Sequence, residues 1–230
     1  MWMAAVAGTA ALAAGAAWAV RGRSSQVFGR CVWRGNPRRA RIALTFDDGP
    51  SDWTPRILDV LAENKAKGTF FQIGELASRH RTIAREVGVR GHEVGNHTQT
   101  HARLYLRSAE FVRKEIRAAQ RTLEEVHGTA PKWFRPTYGC RWFGIARAQE
   151  ELGLTGAMWT AIGLDWKLDE GAVAARLSKA ARNGAIFCLH DGRAGEAHPD
   201  AGPTLGALRT LLPELSRRGY ELVTLSEVLE

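Results

Sequence analysis

Cysteine is scarce in this sequence and scattered: Cys31, Cys140 and Cys188 are the only three in 230 residues. That is too few for a disulfide framework, and no two stand at the short spacing of a cysteine-type zinc site. Histidine and carboxylate are therefore the expected ligands of any metal. No zinc finger and no Gly-Phe-rich ribonucleoprotein motif accompanies the net charge of +8. Charge alone then argues for anionic surfaces or polymers in general, not for nucleic acid. There is no short internal repeat, no low-complexity tract after residue 20 and no carbohydrate-binding repeat. Apolar residues make up 45% of the chain and charged residues 24%, so the body is expected to pack a core. The length suits one domain of α/β-barrel size or two small ones.

Charge is also missing from residues 2–20, "WMAAVAGTAALAAGAAWAV". A helix of this length reaches across a bilayer, but Ala and Gly make it only weakly hydrophobic. Three readings compete for segment 1–20: an uncleaved anchor, a signal peptide, or an Ala-rich helix packed on the protein. Ala17-Trp18-Ala19 fits the small-x-small pattern of a cleavage site. No Lys or Arg precedes the run, and Arg21, Arg23 and Arg30 follow it, which by the positive-inside rule opposes export. The expectation is an extracytoplasmic protein, secreted or membrane-anchored through residues 2–20. Residues 21–39 read as a basic, solvated linker and 40–230 as one domain.

From residue 40 onward, strand and helix patterns alternate. Apolar runs at 42–46, 68–74 and 185–190 and shorter segments within 92–98, 132–139 and 155–161 read as strands. Amphipathic stretches at 54–66, 75–89, 108–128, 147–154, 169–184 and 204–219 read as helices, and "YELVTLSEVLE" closes the chain. Ser108 caps the clearest helix, and Gly128 stands beyond its end. The alternation predicts an α/β fold with about seven mainly parallel strands, as an open doubly wound sheet or a barrel. The reactive residues fall at one end of these strands: Asp47 and Asp48, His97, Arg135 and Tyr138, Asp165, then His190 and Asp191. In parallel α/β folds the carboxyl ends of the strands form the face that carries the active site.

Each group has a bland reading beside its chemical one. Asp47 and Asp48 in "ALTFDDGP" could make a turn, or one could bind a cation while the other moves a proton. "HTQTH" sets His97 and His101 four residues apart, which on a helical turn points both rings at one ion. With Asp48 they would make a two-histidine, one-carboxylate site with positions left open for catalysis. Zinc leads, and cobalt, manganese or nickel also fit. His190 at the end of an apolar strand could be a core residue, or an acid oriented by the Asp165 carboxylate. Arg135 in "FRPTYG" could be a surface ion pair or a fixed cation.

Taken in order, "TFDDGP", "HTQTH", "RPTYG", "LDW" and "LHD" resemble the five motifs of the polysaccharide deacetylase family, also called NodB-homology or carbohydrate esterase family four. The resemblance spans roughly residues 40–228. It implies a distorted (β/α) barrel and metal-dependent hydrolysis of acetyl groups on a sugar polymer. It makes Asp48, His97 and His101 the ligands of a divalent metal, most simply zinc. It makes Asp47 the general base for the attacking water and His190 the general acid. Arg135 would hold Asp47, Asp165 would tune His190, and the Tyr138 N–H would meet the oxyanion. Thr137 replaces a second Pro, which should loosen that loop. Cys188 stands where the family has a Leu walling the acetyl pocket, which should widen it. The expected substrate is N-acetylglucosamine in peptidoglycan or a chitin-like oligomer. The alternatives are another amide or ester (a lipid-linked sugar, acetylxylan, a small cyclic amide) or an inactive carbohydrate-binding module.

Overall fold

The computed structural model describes residues 2–196 and 198–230. In chain order the elements are helix α1 (Trp2–Arg21), strands β1 (Cys31–Val32) and β2 (Arg41–Asp47), helix α2 (Thr54–Glu63) and strand β3 (Gly68–Gln72). Helices α3 (Gly74–Arg79) and α4 (Arg81–Val89) lead to β4 (Glu93–Asn96), and α5 (Ala109–His127) leads to β5 (Trp133–Phe134). A 3₁₀ turn at Thr137–Gly139 precedes α6 (Ile145–Leu152), β6 (Thr155–Ala157) and β7 (Ala161–Ile162). The chain ends with α7 (Glu170–Ala180), β8 (Ala185–His190), α8 (Gly202–Arg217), β9 (Glu221–Val223) and α9 (Leu225–Leu229).

All strand pairs are parallel, and the sheet runs β1-β6-β5-β4-β3-β2-β8-β7, with β9 also pairing β2. The sheet curls as the expected distorted barrel. The sequence pattern 155–161 reads as one strand but divides into β6 and β7, which lie far apart along the sheet. The link between them explains the division. Met158 N–H donates to Val32 O on one side, while Thr160 N–H donates to Ile186 O on the other. Three residues thus span the seam between the two ends of the curl.

Period-two alternation sorts the strands into an outer and an inner face. Ile42, Leu44 and Phe46 of β2 join Ala185, Phe187 and Leu189 of β8 under helices α2 and α8 in the largest buried cluster. The alternate residues face inward. Ala43 and Ile186 pack there with Phe71, Trp133 and Ala157, and Leu225 and Val228 of α9 join them. Strands covered on both faces read as near-continuous apolar runs, which is why they stood out in the sequence.

Other boundaries differ for local reasons. The single helix expected over 75–89 is broken at His80, whose backbone (φ −110°, ψ 48°) leaves the helical region. The helix expected to 184 ends where Ala181 turns extended. Within the basic segment 21–39, Cys31–Val32 pairs with β6, and Gly35 N–H donates to Gly184 O. Among the described residues, no helix is long and apolar enough to cross a membrane. Residues 12–18 of α1 are exposed, which contradicts the reading of that stretch as a helix packed on the protein.

Candidate active site

Asp47 and Asp48 leave β2 in opposite senses. Asp47 continues the inner face of the strand and is buried. Asp48 takes a left-handed backbone (φ 70°), which turns its carboxylate away from its neighbour's position. Gly49 is required next: a Cβ there would lie 2.2 Å from the Asp191 carboxylate. The adjacent acids are therefore separated by backbone conformation rather than left to repel across one turn.

Asp48 Oδ1 lies 3.2 Å from His97 Nε2 and 3.0 Å from His101 Nε2. Around a single ion with N and O ligands at about 2.0–2.2 Å, neighbouring donors stand about 3 Å apart, so the set fits one metal. His97 Nδ1–H donates to Arg135 O at 2.8 Å, which fixes the tautomer and leaves the Nε2 lone pair for an ion. The two histidines are not on a helical turn, as their spacing suggested. They sit in a loop after β4, with Thr98 (φ 68°) and His101 (φ 56°) in the left-handed region. Burial alone would raise the Asp48 pKa, but the His101 and His97 imidazoles against its carboxylate outweigh it and hold the carboxyl well below its usual value.

Asp47 is held from inside the curl. Arg135, with no solvent exposure, donates to Asp47 Oδ1 at 2.8 Å, Thr45 Oγ1 at 2.7 Å, Ala157 O at 3.1 Å and Met158 O at 3.3 Å. Its guanidinium lies over the Phe71 ring, 4.1 Å from the centroid. The surface-ion-pair reading of Arg135 is thereby excluded.

His190 is held by Asp165. Its Nδ1–H donates to Asp165 Oδ1 at 2.9 Å and its backbone N–H to Oδ2 at 2.8 Å. Burial works against charge on this imidazole, but Asp165, then Asp48 and Asp47, overcome it and push the pKa up to about 9. The core-histidine reading fails too, because the ring lines an open cavity of about 520 Å³ shared with Asp47, Asp48, His97 and His101.

Tyr138 stands at the rim, 55% exposed, with a left-handed backbone (φ 58°, ψ 12°). Its ring meets His101 edge-on at 4.8 Å. Thr137 does not loosen this loop: its hydroxyl donates to Ala102 O at 2.7 Å and ties it to the His101 segment. Cys188 lines the same cavity, with Sγ 3.5 Å from Asp47 Oδ2. Burial, then the Asp47 charge, pushes its thiol well above the usual pKa.

The site also gathers residues to which the sequence assigned no role. Thr204, near the start of α8, donates to Asp165 Oδ2 at 2.5 Å. Trp166 sets its edge against His190 at 5.0 Å. Asp191 is buried beneath Gly49, accepts from Thr54 Oγ1 at 2.6 Å, and leaves Oδ1 without a partner among the described residues. Burial raises its pKa to about 7, opposed by the Thr54 bond. Asp191 is among the reactive residues that the sequence places at the strand ends, without a role of its own.

A family model described as "Polysaccharide deacetylase" matches residues 34–157. The chain is 36% identical over 199 residues to a chitooligosaccharide deacetylase of Azorhizobium caulinodans, covering 80% of this chain and 92% of that one. It is 34% identical to a peptidoglycan-N-acetylglucosamine deacetylase of Bacillus cereus, covering 87% and 93%. The solved Bc1960 peptidoglycan N-acetylglucosamine deacetylase superposes with a TM-score of 0.80 at 29% identity, covering 86% and 92%. A mutant of BA3943, a CE4 family pseudoenzyme with restored enzymatic activity, superposes at 0.79 and 27% identity, covering 87% and 71%. One fold thus includes a protein described as a pseudoenzyme as well as one named as an enzyme, so the residues at the site carry the functional argument.

Proposed function

Because this chain belongs to the polysaccharide deacetylase family, we propose that it hydrolyses the N-acetyl group of N-acetylglucosamine units in a chitin-like oligomer or in peptidoglycan, releasing acetate. The observation that carries this is the meeting of three elements in one cavity: the Asp48–His97–His101 donor set, the Arg135-held Asp47 and the Asp165-held His190. In this reading Asp48, His97 and His101 hold a divalent metal, zinc by the preference of two imidazoles and a carboxylate. Such an ion supplies Lewis-acid polarisation of the acetamide carbonyl and lowers the pKa of water.

The remaining chemistry belongs to the protein. Asp47 Oδ2 takes the proton of the attacking water, while Oδ1 stays on Arg135 and keeps the carboxylate aimed. The Tyr138 N–H donates to the carbonyl oxygen as it gains charge, a contribution of about 3 kcal/mol or more when such a donor is well placed. The amine is a poor leaving group, and His190 Nε2–H protonates it. Asp165 holds the ring by Nδ1 and keeps it charged. Peptidoglycan lies outside the cytoplasm, and we assign the protein there.

Acetate release from chitin oligomers, peptidoglycan and acetylxylan, assayed in parallel with and without chelator and added zinc, tests the reading. Release from the first two, lost with chelator and restored by zinc, is expected. Release from acetylxylan alone, or full activity after chelation, would overturn it. His97→Ala should lose metal and turnover together, whereas Asp47→Asn should keep the metal and lose turnover.

A further inference from the structure

We propose that Asp47, Cys188 and His190 form a second cation site, selective for a soft divalent ion such as Cd²⁺ or excess Zn²⁺, and that filling it stops turnover. The register of β2 on β8 builds it: Thr45 pairs with Cys188 and Asp47 with His190. Alternation then points Asp47, Cys188 and His190 to the same inner face. Their donor atoms lie within 4.8 Å of one another. Asp47 Oδ2 and Cys188 Sγ are 3.5 Å apart. A tetrahedral ion with sulfur at about 2.3 Å and oxygen at about 2.1 Å holds those two atoms about 3.6 Å apart.

Two of the ligands are already oriented by groups behind them. Arg135 pins Asp47 Oδ1 and leaves Oδ2, and Asp165 pins His190 Nδ1 and leaves Nε2. Such backing is what makes a ligand set bind well. The surroundings favour a cation, since Asp47, Asp48 and Asp165 outnumber the buried Arg135 guanidinium and the His190 imidazolium, and the imidazolium gives up its charge on binding. On binding, the Cys188 thiol and the His190 Nε2–H each release a proton to solvent, and the thiolate and the freed imidazole lone pair bond the ion. Softness separates the two sites. The Asp48–His97–His101 set offers only nitrogen and oxygen, while a thiolate favours soft ions. Inhibition rests on the proposed roles of Asp47 as base and His190 as acid, because one ion would occupy both. Binding does not rest on them.

The test is cadmium binding to the whole protein by equilibrium dialysis with metal analysis, together with the ultraviolet cadmium–thiolate charge-transfer band. Wild type should take two ions per chain and show the band. Cys188→Ser and Cys188→Ala should take one ion and lack it, while Cys31→Ser should match wild type. Cadmium NMR of wild type needs no variant and should show one resonance shifted by sulfur and one not. A single ion in wild type, two nitrogen-oxygen resonances, or a band that survives in both Cys188 variants would overturn the site. Excess Cd²⁺ or Zn²⁺ should inhibit acetate release about tenfold or more less tightly in Cys188→Ser, since losing a ligand costs at least as much as losing its supporting hydrogen bond. Equal inhibition would overturn the inhibitory role. A second ion and a band in a protein that releases no acetate would support this site and count only against the deacetylase reading.

Discussion

Arg135 shows how much a single buried charge can decide. It has no exposure, and its ion pair with Asp47 lies inside the curl of the sheet. Removing one member of such a pair leaves the other charged without a partner, which costs about 3–5 kcal/mol. Arg135→Leu should therefore lower the unfolding free energy in urea by about that amount. The loss should be smaller in an Asp47→Asn background, where no carboxylate is stranded; equal losses in both backgrounds would show that the pair is not the cause. Asp165 acts on His190 in a different way. With the imidazole pKa raised to about 9, His190 stays protonated, and able to give a proton, up to that pH. Asp165→Asn removes both the hydrogen bond to an ionised acceptor and the charge. The alkaline limb of kcat/KM should then move to lower pH, toward the ordinary histidine value of about 6.5. An unmoved limb would mean that another group sets it.

At the scale of elements, local signals held where a helix end is its own cause. Ser108 Oγ accepts from Phe111 N at 3.2 Å and Gly128 closes α5 in the left-handed region, as the sequence pattern predicts. Ser108→Ala should cost about 1 kcal/mol of stability. Because none of the described cavity-lining residues belongs to α5, kcat should not change; thermal melts and initial rates on the same preparation check both. Local signals failed where tertiary partners set the boundary. The division of 155–161 into β6 and β7 depends on Val32 and Ile186 accepting from opposite sides of the seam. The loop carrying His97 and His101 depends on left-handed residues that no spacing rule encodes.

For the molecule as a whole, α1 joins the body through its C-terminal end. Arg141 N–H donates to Val20 O at 2.9 Å, and its guanidinium donates to Gly22 O and Ser25 O. These partners all lie beyond Ala19, the end of the small-x-small pattern. If residues 1–19 are an export segment, cleavage after Ala19 would leave the joint intact. N-terminal sequencing of the protein recovered outside the cytoplasm should then begin at Val20, and recovery of the uncleaved chain from membranes would favour an anchor.

The sequence by itself determined the alternation of strand and helix, the face on which chemistry collects and the identity of the acids and histidines there, because these follow from side-chain type, periodicity and strand direction. It left open whether the parallel strands make an open sheet or a barrel, and which of the reactive residues meet. Tertiary structure decided those points by closeness between residues far apart in the chain. Arg135 crosses the interior to reach Asp47, Thr204 reaches Asp165 from another helix, and Cys188 meets Asp47 through strand register. Such pairings depend on how the sheet curls, and the curl is set by the packing of the whole chain rather than by any one stretch of it.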